Sequence, residues 1–529
     1  MRKIVMKMIQ EYTKRCFLPL TVVPVILLLF IAPLQLHAQH SHQTARTLSL
    51  GGGGTAYQDL YHANFVNPAN LMLNRDVRPK FTVSIAGGVH AQAGGSLANI
   101  SVYNEYLTSG LTISPQLADA MLDTWFGTAS SESRDLAFDV AAVPLGGAYR
   151  SDEWAVGFAV RVRTSGNTGV SRGFADLIFR GLDSDYFSEA ADVNLSAEYY
   201  AWHEWSAGYA RTLLRYDTLF GFAENVRIYA GIAPKLLIST DYTSASMVSS
   251  LQISGASAQA GGQIRHAFRY AVKTAGARAD QIDAYRIDRD LGIDPKLEDY
   301  IDPQADDFTA AKGVSLGLDL GLTAEMDLPQ NAFDLGIFKG RKSLRVGLAV
   351  TDIGSLSYSD RARTFSNDDQ LLWEGFNYDR DIIDSEFDGD ESAYFESVLT
   401  DSIGNDLYAD FESEQVQAHK PGLPAMIRLG SHLMLGRFGF MIDTGLGLSD
   451  RGIASKHAHL SVGSEYRFFN VVPLRAGLRF GGHSGTTVHA GTGVEFRNIE
   501  FTLAASTAPR SRNYGSSLAA AWSGFVIHF

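Results

Sequence analysis

The sequence has a single cysteine, Cys16, in 529 residues. That excludes a disulfide scaffold and a multi-thiolate metal site. If the leader around Cys16 is removed, it excludes a cysteine nucleophile too. Proline is scarce, at 15 residues. Beyond residue 36 there is no run of 18 apolar residues, so no helical membrane span is expected there. The mean hydropathy of −0.04 is far too low for a helical membrane protein. No stretch is basic enough to point to nucleic acid. Acidic charge is confined instead: from Asp368 to Glu414 there are 16 Asp or Glu and one base, Arg380, which accounts for the whole net charge of −13. The rest of the chain is close to neutral.

The leader has the three-part form of an export signal. Arg2, Lys3, Lys7, Lys14 and Arg15 precede an apolar run, Phe17 to Leu36, that Pro19, Pro24 and Pro33 interrupt. Leu36-His-Ala-Gln39 offers cleavage after Ala38, so residues 1–38 are expected to be a signal peptide. His37 would leave with it, and His40 and His42 read as a loose tail, not a metal cluster. Glycine is plentiful, at 51 residues, and four stand together: Gly51, Gly52, Gly53 and Gly54. No Lys-Ser/Thr follows, so this is not a phosphate loop. It reads as tight backbone packing, followed by a turn at Asn67, Pro68 and Ala69.

From Lys80 onward the hydrophobic period is two. Val156, Phe158, Val160 and Val162 alternate with Ala155, Gly157, Ala159, Arg161 and Arg163. Val314 to Leu322 alternates with Ser315, Gly317, Asp319, Gly321 and Thr323. Near-neutral hydropathy with strict alternation suits a barrel whose lipid-facing residues occupy every second position. Segments near 80–90, 97–106, 137–150, 154–164, 193–213, 225–241, 312–326 and 343–358 carry the pattern. So do 425–435, 437–448, 457–468, 472–482, 486–496, 498–506 and 519–529. Each has roughly the ~9–11 residues that a tilted strand needs to cross a bilayer. The fold class is all-β: a transmembrane antiparallel β-barrel of about 14–16 strands with long extracellular loops, over residues 80–529.

Alternation alone also fits a soluble sheet with one wet face. The barrel is favoured by what occupies the hidden face: Arg161, Arg163, Asp319, Arg345, Asp443, Glu465, Arg467, Arg475, Arg479, Glu495 and Arg497. These charges would face the lumen and pair there, while Gly and Ala between them leave room. Tyr149, Trp154, Tyr199, Trp202, Trp205, Tyr466, Phe468, Phe469 and Trp522 lie where interfacial girdles would. Two regions break the pattern. Residues 172–187 and 263–294 read as loops with short helices. Residues 361–420 form an acidic insert too polar for a membrane.

The last strand sets Phe525, Ile527 and Phe529 on one face and His528, Gly524 and Ala520 on the other. A strand ending on an aromatic residue resembles the C-terminal signal of outer-membrane barrels, so Phe525, Ile527 and Phe529 are expected to engage the barrel assembly machinery.

No catalytic constellation emerges, and no enzyme is expected. Gly482-His-Ser-Gly485 lacks the closing glycine of a nucleophile elbow. Within the insert, Asp384-Ser-Glu-Phe-Asp-Gly-Asp390 has the start of a calcium loop, but position 12 is Phe395. A solvated loop is the stronger reading, with calcium as its alternative and no other cofactor.

The glycine run followed by Asn67-Pro68-Ala69 resembles the N-terminal region of FadL-like outer-membrane proteins. In that family this region forms a plug inside the barrel, which implies a plug over residues 39–79. Gly317-Leu-Asp-Leu-Gly321, Gly347-Leu-Ala-Val-Thr-Asp-Ile-Gly354, Ser461-Val-Gly-Ser-Glu-Tyr466 and Pro473-Leu-Arg-Ala-Gly-Leu478 look like strands of FadL-related families. Among these, the chain is most similar to an uncharacterised family typical of the Bacteroidetes. PorV- and PorQ-type proteins of the type IX secretion system share the same features. The resemblance implies location in the outer membrane, outer-membrane lipid around the barrel, and passage of small hydrophobic solutes. The alternative it carries is a non-transporting barrel that serves a secretion partner as a docking platform.

Overall fold

The computed structural model describes residues 42–529 apart from 74–79, 109–113, 128–132, 182–184, 220–222, 255–261, 292–296, 301–309, 334–335, 377–379, 388–411, 450–455, 457, 482–484 and 509–514. The signal-peptide expectation, His37, His40 and residues 377–379 and 388–411 of the acidic insert lie outside the described residues.

The described chain forms eighteen strands. They are β1 (Phe81–Gly95), β2 (Ser133–Arg150), β3 (Trp154–Ser171), β4 (Ala191–Asp192), β5 (Leu195–Leu219), β6 (Ala223–Ser254), β7 (Gly262–Thr274), β8 (Gly313–Asp327) and β9 (Lys342–Gly354). There follow β10 (Arg363–Phe376), β11 (Glu412–Gln415), β12 (Met426–Leu435), β13 (Phe438–Gly447), β14 (His459–Phe468), β15 (Val472–Gly481), β16 (Thr487–Glu495), β17 (Ile499–Thr507) and β18 (Ser516–His528).

Fourteen of them close a cylinder. Going round, β1 pairs β2, then β3, β5, β6, β8, β9 and β12 to β18 in turn, and β18 returns to β1, every pair antiparallel. Closure leaves no unpaired edge in the cylinder, which is what lets a sheet sit in lipid. β6 is long enough to belong to two sheets. Its first half pairs β8, and Thr243–Ser254 pairs β7. Beyond the cylinder β7 pairs β10, and β10 pairs β11. These strands form a sheet that rises from the end of the barrel where the long connections lie. The opposite end has short turns, such as the one between Leu435 and Phe438.

Burial follows the pleat. Val156, Phe158, Leu316, Leu320, Leu322, Leu474, Leu478 and Phe480 are exposed, while Arg161, Arg163, Asp319 and Arg475 are buried. An apolar belt running round the outside over every barrel strand is a lipid-facing surface, not a soluble one. No described helix is long and apolar enough to cross a membrane. The fold is that of an outer-membrane β-barrel.

Several local expectations need correction. Residues 97–106 are not a strand. The Asn99 side chain accepts from the Ser101 and Val102 amides and starts a helix, Ile100–Tyr106. Residues 262–274 are strand β7 before a helix, Ala277–Asp290, begins. The polar segment 363–376 is strand β10, because outside the lipid a strand needs no apolar face.

Trp202 is no girdle residue. It shares the inward parity of Tyr200, Glu204 and Ser206 on β5 and packs with Tyr200, Leu237 and Leu356. In β18, Ser523 and Gly524 are both buried. This bulge reverses the faces and sends Ala520 outward, to the side of Phe525, Ile527 and Phe529. Arg497 lies exposed in the turn after β16, because that strand ends at Glu495.

Candidate functional site

The lumen is filled from within the chain. Residues 42–73 run through it as a short helix, Ala45–Leu48, and two 3-10 turns, Leu60–Phe65 and Pro68–Met72. Almost all of these residues are buried. They are held from opposite walls. Asp443 of β13 accepts from the Gly54 amide at 2.9 Å, the Thr55 amide at 3.0 Å and the Thr55 hydroxyl at 2.6 Å. Asn67 donates to the Leu322 carbonyl and the Thr323 hydroxyl of β8. Asn64 donates to the Gly157 carbonyl of β3 at 3.1 Å. Tyr57 donates to Glu465 of β14 at 2.9 Å.

The strand glycines explain how a backbone fits there. A Cβ on Gly463 would lie 2.7 Å from the Leu50 carbonyl oxygen, and one on Gly347 2.6 Å from that of Thr55. Gly231 abuts Pro68 and Ala69, Gly321 abuts Asn67, and Gly477 abuts Leu50 and Gly51. The expectation that lumen glycines make room for long charged side chains holds at Gly430, which makes room for the Asp443 carboxylate, but Gly231, Gly347, Gly463 and Gly477 make room for the backbone of residues 50–69. Gly51, Gly52, Gly53, Gly54, Asn67, Pro68 and Ala69 all lie inside the barrel, at this contact.

Beside the segment sits a buried ionic cluster. Lys235 of β6 lies 2.6 Å from Asp352 and 2.9 Å from Asp319. Arg161 pairs with Glu204 at 2.5 Å, and Arg163 with Asp139 at 3.0 Å. Asp352 also faces both arginines, at 3.5 and 3.3 Å. Phe65 of the segment lies under the Arg161 guanidinium, 4.2 Å away. A second cluster lies toward the short turns, where Glu465 and Glu495 share Arg467 and Arg475. Arg345 pairs with Glu325 at 2.7 Å. Mixed signs let these charges satisfy one another where water is excluded.

The wall has one conspicuous break. β1 matches Ser84 to Val526 and then Val89 to Trp522, so four β1 residues face three of β18. Against β2 it matches Ile85 to Leu145 and then Gly88 to Val143, so Ala86 and Gly87 face Pro144 alone. Proline has no amide to donate there. Ala86 has φ +62° and Gly88 has φ +137°, backbone that only a disrupted ladder would hold. The Gly87 carbonyl turns inward, 3.2 Å from His62 Nε2. Behind the break is a cavity of about 10 Å³, room for a single water, lined by His42, His62, His90, Ala141 and Trp522 among others.

The histidines were missed as a group. His42 is buried 3.3 Å from His62, so it is not part of a loose tail, and His90 reaches Asp139 at 2.9 Å. They are remote in sequence, at positions 42, 62 and 90, and only the tertiary fold joins them. Burial holds the His62 imidazole down at about 4. Burial also holds His42 well below its ordinary value, with Arg161 adding to the effect. Among the described residues no group of three or more His, Cys, Asp or Glu could hold a metal. Asp384 and Glu386 lie at the end of a helix, Arg380–Glu386, and Asp388 and Asp390 lie outside the described residues.

The model of a family described as a family of unknown function, DUF5723, matches residues 68–506. No curated protein matches the chain. Among solved structures, the Pseudomonas putida toluene transporter TodX is 12% identical, covers 93% of this chain and 98% of its own, and superposes with a TM-score of 0.39. The Ralstonia pickettii toluene transporter TbuX gives 12%, 92%, 99% and 0.39. A Pseudomonas aeruginosa FadL homologue gives 12%, 94%, 99% and 0.39. Likenesses at this level leave the function to be read from this chain's own geometry.

Proposed function

Since the chain belongs to the DUF5723 family, which brings no assigned activity with it, we infer the function from the lumen and propose a FadL-like passage for small hydrophobic solutes. Residues 42–73 act as its plug. The observation that carries this reading is the wall break at Ala86–Gly88 with the cavity behind it. A straight axial path would take an apolar solute across two buried ionic clusters, at a large desolvation cost. A route through the wall leads from the lumen into lipid, where such a solute is already soluble. In this closed state the cavity holds no more than a water, so passage requires the segment around His42 and His62 to shift.

The test is uptake of an apolar fluorophore into proteoliposomes. Ala141 lines the cavity from β2, and Ala141→Phe would fill it for an overpacking cost of about 1–3 kcal/mol. The wild type is expected to accelerate uptake, and A141F to slow it several-fold while still migrating as a folded barrel. Equal uptake in the two overturns the route. Planar-bilayer conductance of the intact protein and of a variant lacking residues 42–73 tests the plug. A conductance that deletion leaves unchanged overturns it.

The sheet of β7, β10 and β11 favours a second reading, a docking platform that serves a secretion partner, as PorV- and PorQ-type proteins suggest. It extends past the lipid belt and carries the acidic insert. Deleting residues 364–415 separates the two readings. Solute uptake survives under the first, and partner capture is lost under the second.

A further inference from the structure

The lipid-facing wall is covered from outside at one place. On β12 the outward face starts at Ile427, which is 41% exposed, and the same parity leads to Leu435, which is 2% exposed. On β9 Leu348 is 44% exposed, yet Lys342 on the same face is 3% exposed. Leu435 and Lys342 are matched across the sheet, so one patch of the outer wall is shielded.

What shields it is the connection between β8 and β9, which folds back onto the outside of the barrel. The Lys342 ammonium donates to the Gln330 carbonyl and, at 2.6 Å, to the Ala332 carbonyl. The Gly436 amide donates to the Arg341 carbonyl at 2.9 Å. The Lys339 carbonyl presses so closely on Gly436 that a Cβ there would collide with it. From this seat Phe338 meets Phe438 edge-on, with ring centres 5.3 Å apart, and Phe440 at 6.4 Å. Both belong to the outward face of β13, between buried Gly439 and Met441. The rings continue from Phe438 to Tyr466 of β14 at 4.8 Å.

The tip of the connection is apolar and uncovered: Ile337, beside Phe338, is 63% exposed. Aromatic rings banded round the end of a membrane barrel mark the level where hydrocarbon meets head groups. The patch is continuous with the lipid belt, so its occupant is lipid. Charge narrows the chemistry. Lys339 and Arg437 are both exposed, on backbones that touch at Gly436. Asp327 holds Arg341 at 2.9 Å, whereas Lys339 and Arg437 pair with no described carboxylate. Long cationic side chains at this level lay their stems on apolar surface and carry their charge to the phosphates.

We propose that the β8–β9 connection is a membrane-interface anchor at the short-turn end of the barrel. Ile337 and Phe338 enter the lipid, and Lys339 and Arg437 engage the head groups of an anionic phospholipid. The inference rests on the covered patch and holds whether or not the barrel passes solutes.

The test uses the full chain with Ile337→Cys in a Cys16→Ser background, so that a bimane label has a single thiol to react with. The labelled protein is placed in phosphatidylethanolamine nanodiscs with increasing fractions of brominated phosphatidylethanolamine or brominated phosphatidylglycerol. Bromine quenches a label that lies in the lipid. Both lipids should quench, and phosphatidylglycerol should be half-effective at a lower mole fraction, about fivefold lower for each cation engaged. K339Q/R437Q should bring the two curves together; both side chains are exposed, so the variant should keep heat-modifiable migration. A label that neither lipid quenches overturns the anchor, and a dimer in the same sample would name a second copy as the occupant. Coincident curves before the double substitution, or a preference that survives it, overturn the role of Lys339 and Arg437.

Discussion

At the scale of single residues, His62 and Asp443 decide whether the plug stays docked. His62 is neutral in the docked state, with its pKa down at about 4 against 6.5 when free. A group depressed in this way gives full docking stability above pH 6.5, and that stability falls as the pH drops toward 4, because the undocked form takes the proton first. The loss amounts to about 3 kcal/mol at 1.36 kcal/mol per unit. The groups facing His62 are His42, Arg46, Asp59, Glu500 and the Gly87 carbonyl. Protease cleavage within residues 42–73 should therefore rise as pH falls from 6.5 to 4, and H62Q should flatten that dependence. An unaltered profile in H62Q would assign it to another group. Asp443→Ala leaves two buried amides and a hydroxyl without an acceptor, at about 1–3 kcal/mol per donor. Faster cleavage of the same segment at neutral pH is the expected result, read by mass spectrometry of the fragments.

At the scale of elements, the lumen glycines and the closing strand make opposite demands. Gly321→Val would drive a side chain into Asn67. Its cost belongs to plug docking more than to the strand, so the barrel should still form, with a lower Tm and a conductance the wild type lacks. A variant that conducts no better than wild type would show that the segment tolerates the crowding. Removing Phe529 acts on the other side of the wall. Its amide donates to the Phe81 carbonyl at 2.8 Å, so it joins the last strand to the first. Membrane insertion of the truncated chain should fall sharply while any assembled fraction behaves as wild type. Insertion at the normal level would remove the case for Phe525, Ile527 and Phe529 as an assembly signal.

At the scale of the whole molecule, the cylinder and the sheet above it are separable. β6 runs through both, with the first residues of β5 paired to its outer half, and β10 and β11 join the described sheet through β7. A chain lacking residues 364–415 should fractionate with outer membranes and keep heat-modifiable migration in detergent gels. Loss of both would mean that the outer sheet supports the barrel wall.

The alternation of Val314 to Leu322 or Val156 to Val162 was legible in sequence because period two needs only local information, and it placed the barrel strands within a few residues. Parity also set Arg161, Arg163, Asp319 and Arg475 inward. It failed at Ala520 and Arg497, where a bulge and a strand end reset the phase, events that depend on the partner strand. The outer sheet was illegible for a related reason: residues 262–274 and 363–376 have no lipid face to mark them as strands. The sequence by itself determined a closed barrel, since repeated alternating segments with charges on the hidden face can be satisfied only by wrapping that face inward. Tertiary structure alone decided what fills the barrel, because the contacts of Asn67 with Thr323, of Thr55 with Asp443 and of His42 with His62 bridge residues with no local signal of one another.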